Sequence, residues 1–316
     1  MFDIISIGEV LIDLTGNGLN EQNAYQFSAY PGGAPANMAV AASRLGARTA
    51  FIGKIGKDFF GKIIRSCLVQ NGVSTEYLLT DDKDLTTLAV VSVDENGERD
   101  FRFYRDPSAD VNLAAPDISE DFIKRGKILH FGSLSLTNPV SRRATEQAVH
   151  YAKQNHLLVS YDPNYRASLW PTEAEAVQRI ASMLSLADVV KISDEELILL
   201  TSSGSLEERA RKLAEAHAIR LLLITLGADG AGYFYDKHWG IVPTRKTAIA
   251  DTNGAGDTFF GAFLAKLSQH DNLGELDIAT LESFVSFANL AASITISRSG
   301  AIPAMPSLEE VENLIS

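Results

Sequence analysis

Cysteine is almost missing from this 316-residue chain: Cys67 stands alone. That excludes an internal disulfide and argues against a thiolate metal cluster. Histidine is scarce too. The six residues His130, His150, His156, His217, His238 and His270 are scattered, without the paired i, i+4 spacing of a metal site. Positive charge is in deficit, with 28 Lys and Arg against 40 Asp and Glu and a formal net charge of -12. Such a field disfavours nucleic acid or an anionic membrane as a partner. An anionic substrate stays open, because local cations or Mg²⁺ can offset the global field. The N-terminus lacks the basic region and cleavable apolar segment of a secretory signal. No apolar run approaches the length needed to span a bilayer, so a cytoplasmic location is expected. No repeat or low-complexity segment is found.

What remains is ordinary in bulk and informative in order. Hydrophobic residues make up 46% and charged residues 22%, as in soluble globular chains. Short apolar runs at Phe2–Ile7, Thr49–Ile55, Ile128–Phe131, Leu157–Ser160, Val189–Ile192 and Leu221–Thr225 alternate with helix-period segments. That rhythm predicts an α/β fold with a mostly parallel sheet. The section from Leu85 to Arg105 breaks it. Alternating residues flank Asn96-Gly97, a strong two-residue hairpin signal, which predicts a small antiparallel insertion serving as a lid or an interface. Thr172 with Glu175, Ser205 with Glu208 and Ser307 with Glu310 have the spacing of capping boxes.

Polar groups fall where strands end. Glu9 and Asp13 follow the first strand, and Arg166, Glu196, Thr225 and Asp257 follow later ones. In a parallel sheet these exits share one edge, the usual place for ligands. Asp13 fits a hydrogen-bond acceptor for a polyhydroxyl ligand and fits a solvated loop equally well. Arg105, at the end of the aromatic strand, reads either as a cation above a ligand or as a solvated hairpin end. Pro31-Gly32-Gly33-Ala34-Pro35 feeds a small-residue helix with Asn37 in its first turn, and matches neither a Walker loop nor a dinucleotide fingerprint.

The most informative stretch is Asp251-Thr252-Asn253-Gly254-Ala255-Gly256-Asp257-Thr258, a Gly-rich turn opening into a helix. Amides freed at a helix start form an anion site. A carboxylate beside it makes sense if Asp257 takes a proton while the amides hold developing charge. The plainer reading is a Gly turn with Asp257 favoured by the helix dipole. At a helix start Asp257 is expected to be ionised and only modestly basic.

Taken together, Gly32-Gly33-Ala34-Pro35-Ala36-Asn37 running on to Gly53-Lys54-Ile55-Gly56-Lys57-Asp58, and Asp251 to Phe259, resemble the two signatures of the PfkB (ribokinase-like) carbohydrate kinases, over essentially the whole chain. Phe103 to Asp110, Asp162 to Arg166 and Lys191 to Glu196 are most similar to the fructokinases of that family. The resemblance implies a ribokinase-like three-layer α/β/α core with a small inserted β-sheet lid from segments near 10–30 and 85–110. It implies Mg·ATP as phosphoryl donor and a furanose-type sugar, first of all fructose, as acceptor. Acceptors of other members, namely 2-keto-3-deoxygluconate, ribose, a nucleoside or an inositol, are the alternatives, with a non-catalytic sugar- or nucleotide-binding protein as a more distant one. Asp257 would be the base, the amides of Asn253, Gly254, Ala255 and Gly256 the anion hole, and Arg166 a phosphate contact. Asp13, Gly32, Gly33, Asn37, Phe103 and Arg105 would face the sugar. Lys191, Ser193, Glu196, Thr225, Gly227 and Asn289 would face the nucleotide, with Glu196 holding Mg²⁺ through water. Asp251 and Asn253 would border a K⁺ site, and a homodimer would form through the lid. Three departures stand out: Asn253 replaces the usual Thr or Ala, Lys57 stands at an often acidic position, and Ser193 replaces the Asn of many ribokinases.

Overall fold

The computed structural model describes residues 1–93, 99–270 and 273–315, with side chains described outside 91–101. The expected Asn96-Gly97 turn lies outside the described residues. Thirteen strands occur among them: β1 (Phe2–Ile7), β2 (Leu11–Leu19), β3 (Tyr25–Gly32), β4 (Thr49–Gly56), β5 (Ser74–Asp81), β6 (Leu88–Val93), β7 (Arg99–Tyr104), β8 (Gly126–Gly132), β9 (Leu158–Asp162), β10 (Val189–Ser193), β11 (Leu221–Thr225), β12 (Ala231–Tyr235) and β13 (His238–Val242). Nine form one sheet in the order β13-β12-β11-β10-β9-β8-β1-β4-β5. The run from β5 to β11 is parallel, and β12 and β13 add an antiparallel edge.

Apolar runs buried on both faces explain the three layers. On one face Ile5, Ile7, Leu129 and Val190 pack with Ala144 and Ala148 of helix Pro139–Gln154 and Ile180 of helix Glu173–Leu184. On the other, Ile4, Ile128, Val189 and Leu223 pack with Phe260 and Phe263 of helix Ala255–Leu267 and Val285 of helix Ile278–Ile296. Consecutive residues of β1 thus serve opposite cores, as a period of two requires. Helix Ile278–Ile296 corrects one expectation: it is long and apolar enough by composition to cross a bilayer. Its apolar residues are instead spent against helix Ala255–Leu267.

The second sheet has the order β3-β2-β6-β7. Its β6–β7 pair is the expected antiparallel insertion, and β2 joins it parallel to β6. The β2–β3 pair carries too little alternation to be read from its residues, since Gly16 and Gly18 interrupt it and the register shifts between Gly16 and Leu19. Edge strand β5 also escaped sequence reading, because its half-exposed Ser74–Asp81 run lacks a continuous apolar stretch. Residues paired across strands share a face. Asp13 pairs with Tyr30 and Ala89, and Ala89 with Phe103, so one row of the lid carries two of the expected sugar contacts.

Of the three capping boxes, Ser205–Glu208 and Ser307–Glu310 form in both directions. Thr172 accepts the Glu175 amide as expected.

The contact that positions the site is between helices Ala34–Arg44 and Ala255–Leu267. A Cβ at Gly261 would lie 2.7 Å from the Met38 carbonyl oxygen and 2.8 Å from Ala41 Cβ. Only glycine lets the backbones approach so closely. Gly261→Val is therefore expected to lower the unfolding free energy by about 1–3 kcal/mol, as overpacking does. Urea unfolding measures it; an unchanged midpoint contradicts the close-contact account.

Candidate active site

Helix Ala255–Leu267 begins after Gly254, whose φ of 76° is a left-handed conformation suited to glycine. The turn before it is tied down by Asp251, whose Oδ1 accepts the Asn253 amide at 2.8 Å and whose Oδ2 accepts the Gly300 amide at 3.0 Å. This narrows the expected anion hole. The Asn253 amide is taken by Asp251, and the Ala255 amide donates to the Thr252 carbonyl at 3.3 Å. Among the described residues no protein acceptor is seen for the Gly254 and Gly256 amides. Two donors at a helix start remain available for an anion, and Gly256 lines a cavity.

Asp257 follows directly and is half-buried. Its Oδ2 accepts from Asn37 Nδ2 at 2.8 Å. Burial among protein atoms raises its pKa from 3.8 to about 6; the nearby Asp162 adds to the rise, while Asn37, Lys191 and Arg166 oppose it. The carboxylate is thus more basic than its helix-start position suggests, because desolvation outweighs the helix dipole.

Lys191 and Asp162 form a buried ion pair, Nζ to Oδ2 2.9 Å, at the exits of β10 and β9. A Cβ at Gly256 would lie 3.0 Å from Lys191 Nζ, so the ammonium borders the free amides. Asp162 has no role assigned from sequence; its signals there are its place at a strand exit and in the fructokinase-like segment Asp162 to Arg166. Ser193 and Glu196 make a full capping box for helix Asp194–Leu200. Glu196 accepts the Ser193 amide at 2.8 Å and the Tyr165 amide at 2.7 Å, and burial raises its pKa. Its carboxylate is fixed at the cleft edge, and each oxygen keeps a lone pair for water. Among the described residues no cluster of three or more His, Cys, Asp or Glu is set to hold a metal directly. Mg²⁺ therefore fits only as an ion carried by phosphate oxygens and water.

Two cavities meet at Thr225, Gly227 and Thr252. One, of about 590 Å³, has apolar walls from Ile249, Phe259, Ala292 and Ile296 and suits a planar base. The other, of about 680 Å³, holds Arg166, Lys191 and Glu196 and suits phosphates. Gly227 has open space where a Cβ would stand. Asn289 borders the first cavity, but its Nδ2 donates to the Val242 carbonyl at 2.9 Å. It shapes the wall, with its amide spent on the backbone.

On the opposite side lie the expected sugar residues. Asp13 is 8% exposed, which rules out the solvated-loop reading. A Cβ at Gly32 would lie 2.3 Å from Asp13 Oδ2, and one at Gly33 (φ 104°) 2.6 Å from the Glu9 carbonyl oxygen. Gly33 therefore needs glycine, and a side chain at Gly32 would displace the Asp13 carboxylate. Phe103 is half-buried in the same lid row as Asp13. Arg105 is not the solvated hairpin end of the plainer reading. It is buried, its Nε pairs with Asp110 at 2.7 Å, and its Nη1 donates to Leu134 O and Thr137 Oγ1. It anchors the lid root to the exit of β8, with only Nη2 lacking a protein partner. Asp110 beneath it, also held by Ser108 and Thr87, went unassigned from sequence.

Residues 1–308 match the model of the pfkB family carbohydrate kinases. The chain belongs to this family. A probable fructokinase-4 of Arabidopsis thaliana is 42% identical over 314 residues, covering 99% of this chain and 96% of that protein. The crystal structure of a Xylella fastidiosa fructokinase with bound ATP superposes with a TM-score of 0.92 at 34% identity, covering 100% of this chain and 98% of that one. A Vibrio cholerae O395 fructokinase double mutant, with fructose, ADP and potassium ion bound, gives 0.90 at 34%, covering 99% and 98%. The fold is the ribokinase-like α/β/α core with a small inserted lid.

The raised pKa of Asp257 has a consequence for stability. A carboxyl whose folded value exceeds its unfolded one binds protons on folding. Its contribution is favourable at low pH and declines as pH rises from about 4 to about 6. At pH 8 the ionised Asp257 therefore weakens the ligand-free fold. Asp257→Asn should stabilise the ligand-free kinase at pH 8 by on the order of 1–3 kcal/mol in urea unfolding. Equal or lower stability contradicts the burial account.

Proposed function

We infer that this kinase is an ATP-dependent fructokinase, transferring the γ-phosphoryl group to a primary hydroxyl of fructose. The observation that carries the reading is the junction at the head of helix Ala255–Leu267. There the Asp257 carboxylate and the free amides of Gly254 and Gly256 stand between the phosphate cavity and Asn37. The ATP bound to the Xylella relative and the fructose and ADP bound to the Vibrio relative support it.

In the reaction the sugar oxygen forms a bond to the γ-phosphorus as the bond to ADP breaks, and the hydroxyl proton passes to Asp257. Transfer of this kind needs alignment and charge stabilisation more than covalent help. Asn37 holds the base, and the Gly254 and Gly256 amides receive the equatorial oxygens. Lys191, fixed by Asp162, and Arg166 add positive charge. Bound Mg²⁺ supplies neutralisation of the phosphate oxygens, with Glu196 placed to order its water. Asp251 bridges the Asn253 and Gly300 amides, and K⁺ would be held beside it as a stabiliser of the turn; the potassium in the Vibrio relative supports this. A cytoplasmic site of action agrees with the lone free Cys67.

Asp257→Asn is expected to cut turnover by about 10²–10⁴-fold while leaving sugar and nucleotide dissociation constants within a few fold. Steady-state kinetics with calorimetry reads both; near-normal turnover removes the base assignment.

The lid exposes Leu19, Tyr25, Phe27 and Tyr104, each more than half accessible, and the Tyr25 and Phe27 rings stack. Exposed apolar side chains gathered on one small sheet mark an association site, and we assign it to a homodimer through the lids. Sedimentation velocity should give a dimer for the wild type and a monomer for Phe27→Glu. A wild type that stays monomeric at all concentrations defeats the assignment.

A further inference from the structure

We propose that Glu9 is a further sugar-binding residue of this kinase, its carboxylate accepting a hydrogen bond from an acceptor hydroxyl that none of the previously assigned contacts takes. The proposal rests on the fructokinase reading and deepens it. Glu9 lies just past the exit of β1, is 2% exposed, and has an Oε2 with no protein partner. It is not isolated in this. Ser133, just past the exit of the neighbouring β8, is fully buried with an unpartnered Oγ. Asn37 gives its Nδ2 to Asp257 and leaves Oδ1 without a partner, and Arg105 leaves Nη2.

These groups converge. Pro35, two residues before Asn37, would touch a Cβ placed on either Gly8 or Gly132, the residues preceding Glu9 and Ser133. Gly33 lies against the Glu9 carbonyl. The charges felt by the Glu9 carboxylate are those of Arg105, Asp110 and Asp257, so it shares the polar region bounded by the lid root and the base.

Buried polar atoms without partners are rare and costly, and several in one place call for a ligand that satisfies them. Glu9 and Asn37 Oδ1 offer acceptors, Arg105 Nη2 offers a donor, and Ser133 offers either. A carboxylate rejects an anion, and the polar lining rejects a hydrocarbon. A neutral polyol, whose hydroxyls both donate and accept, matches the set. Burial also pushes the Glu9 carboxyl up to about 7, with Arg105 pulling the other way and Asp110 and Asp257 adding to the rise. A hydroxyl donated to it favours the ionised form and expels a proton.

The test is kinetics of Glu9→Gln, which keeps shape and removes charge. The KM for fructose should rise about tenfold or more, with kcat within threefold and the KM for Mg·ATP unchanged. A fructose KM within twofold of wild type overturns the proposal, as does a parallel loss in kcat and in the KM for Mg·ATP, which marks a merely structural role. Should that variant fail to fold, calorimetry of fructose binding to Asp257→Asn in two buffers of different ionisation enthalpy reads the same step with Glu9 intact. Net proton release near pH 7 supports the assignment, and no proton change overturns it. Absence of sugar-dependent ADP release from the wild type would instead defeat the fructokinase reading itself.

Discussion

The hydrogen bond from Asn37 Nδ2 to Asp257 Oδ2 joins residues 220 positions apart, and the working geometry hangs on it. It ties the first turn of helix Ala34–Arg44 to the first turn of helix Ala255–Leu267. Those helices approach closely because Gly261 carries no side chain where they cross. One consequence is electrostatic. The donor stabilises the ionised base, while burial and Asp162 destabilise it, and the balance leaves a carboxylate near 6 that is ionised yet basic at neutral pH. A second is spatial. In the proposed mechanism Asn37 belongs to the sugar side and Asp257 to the phosphate side, and the bond between them would mark the line of transfer.

Around that line the fold divides its tasks by layer. The parallel sheet brings the exits of β9, β10 and β11 to the phosphate cavity and those of β1 and β8 to the polyol region. The buried charges around the phosphate cavity and the lid root are held. Lys191 is matched by Asp162, Arg105 by Asp110, and Glu196 by two backbone amides. Each group is fixed before a ligand arrives, which is what electrostatic stabilisation of a transferring phosphoryl group requires.

Much of this was legible in the residues. The βα rhythm gave the sheet because parallel strands buried on both faces are continuous apolar runs, and the turn at Gly254 and Gly256 announced an anion site by its composition. What stayed hidden depends on contacts distant in sequence. Nothing near Asp257 reveals that burial and Asp162 raise its pKa. Arg105 looks like a free cation until Asp110, Leu134 and Thr137 are seen to enclose it. The amides of Asn253 and Ala255 look free until the Asp251 carboxylate and the Thr252 carbonyl claim them. Local pattern names the groups, and tertiary packing decides which atoms remain to bind.

The central claim is that a half-buried, Asn37-held Asp257 accepts the sugar proton. The pH dependence of turnover at saturating fructose and Mg·ATP, compared between wild type and Asn37→Ala, tests it most directly. The wild type should lose activity below an apparent pKa of about 6, and the limb should move upward in the variant, which lacks the donor that favours the charged form. A limb near the ordinary carboxylate value of about 4, or one unmoved by the substitution, would contradict the account.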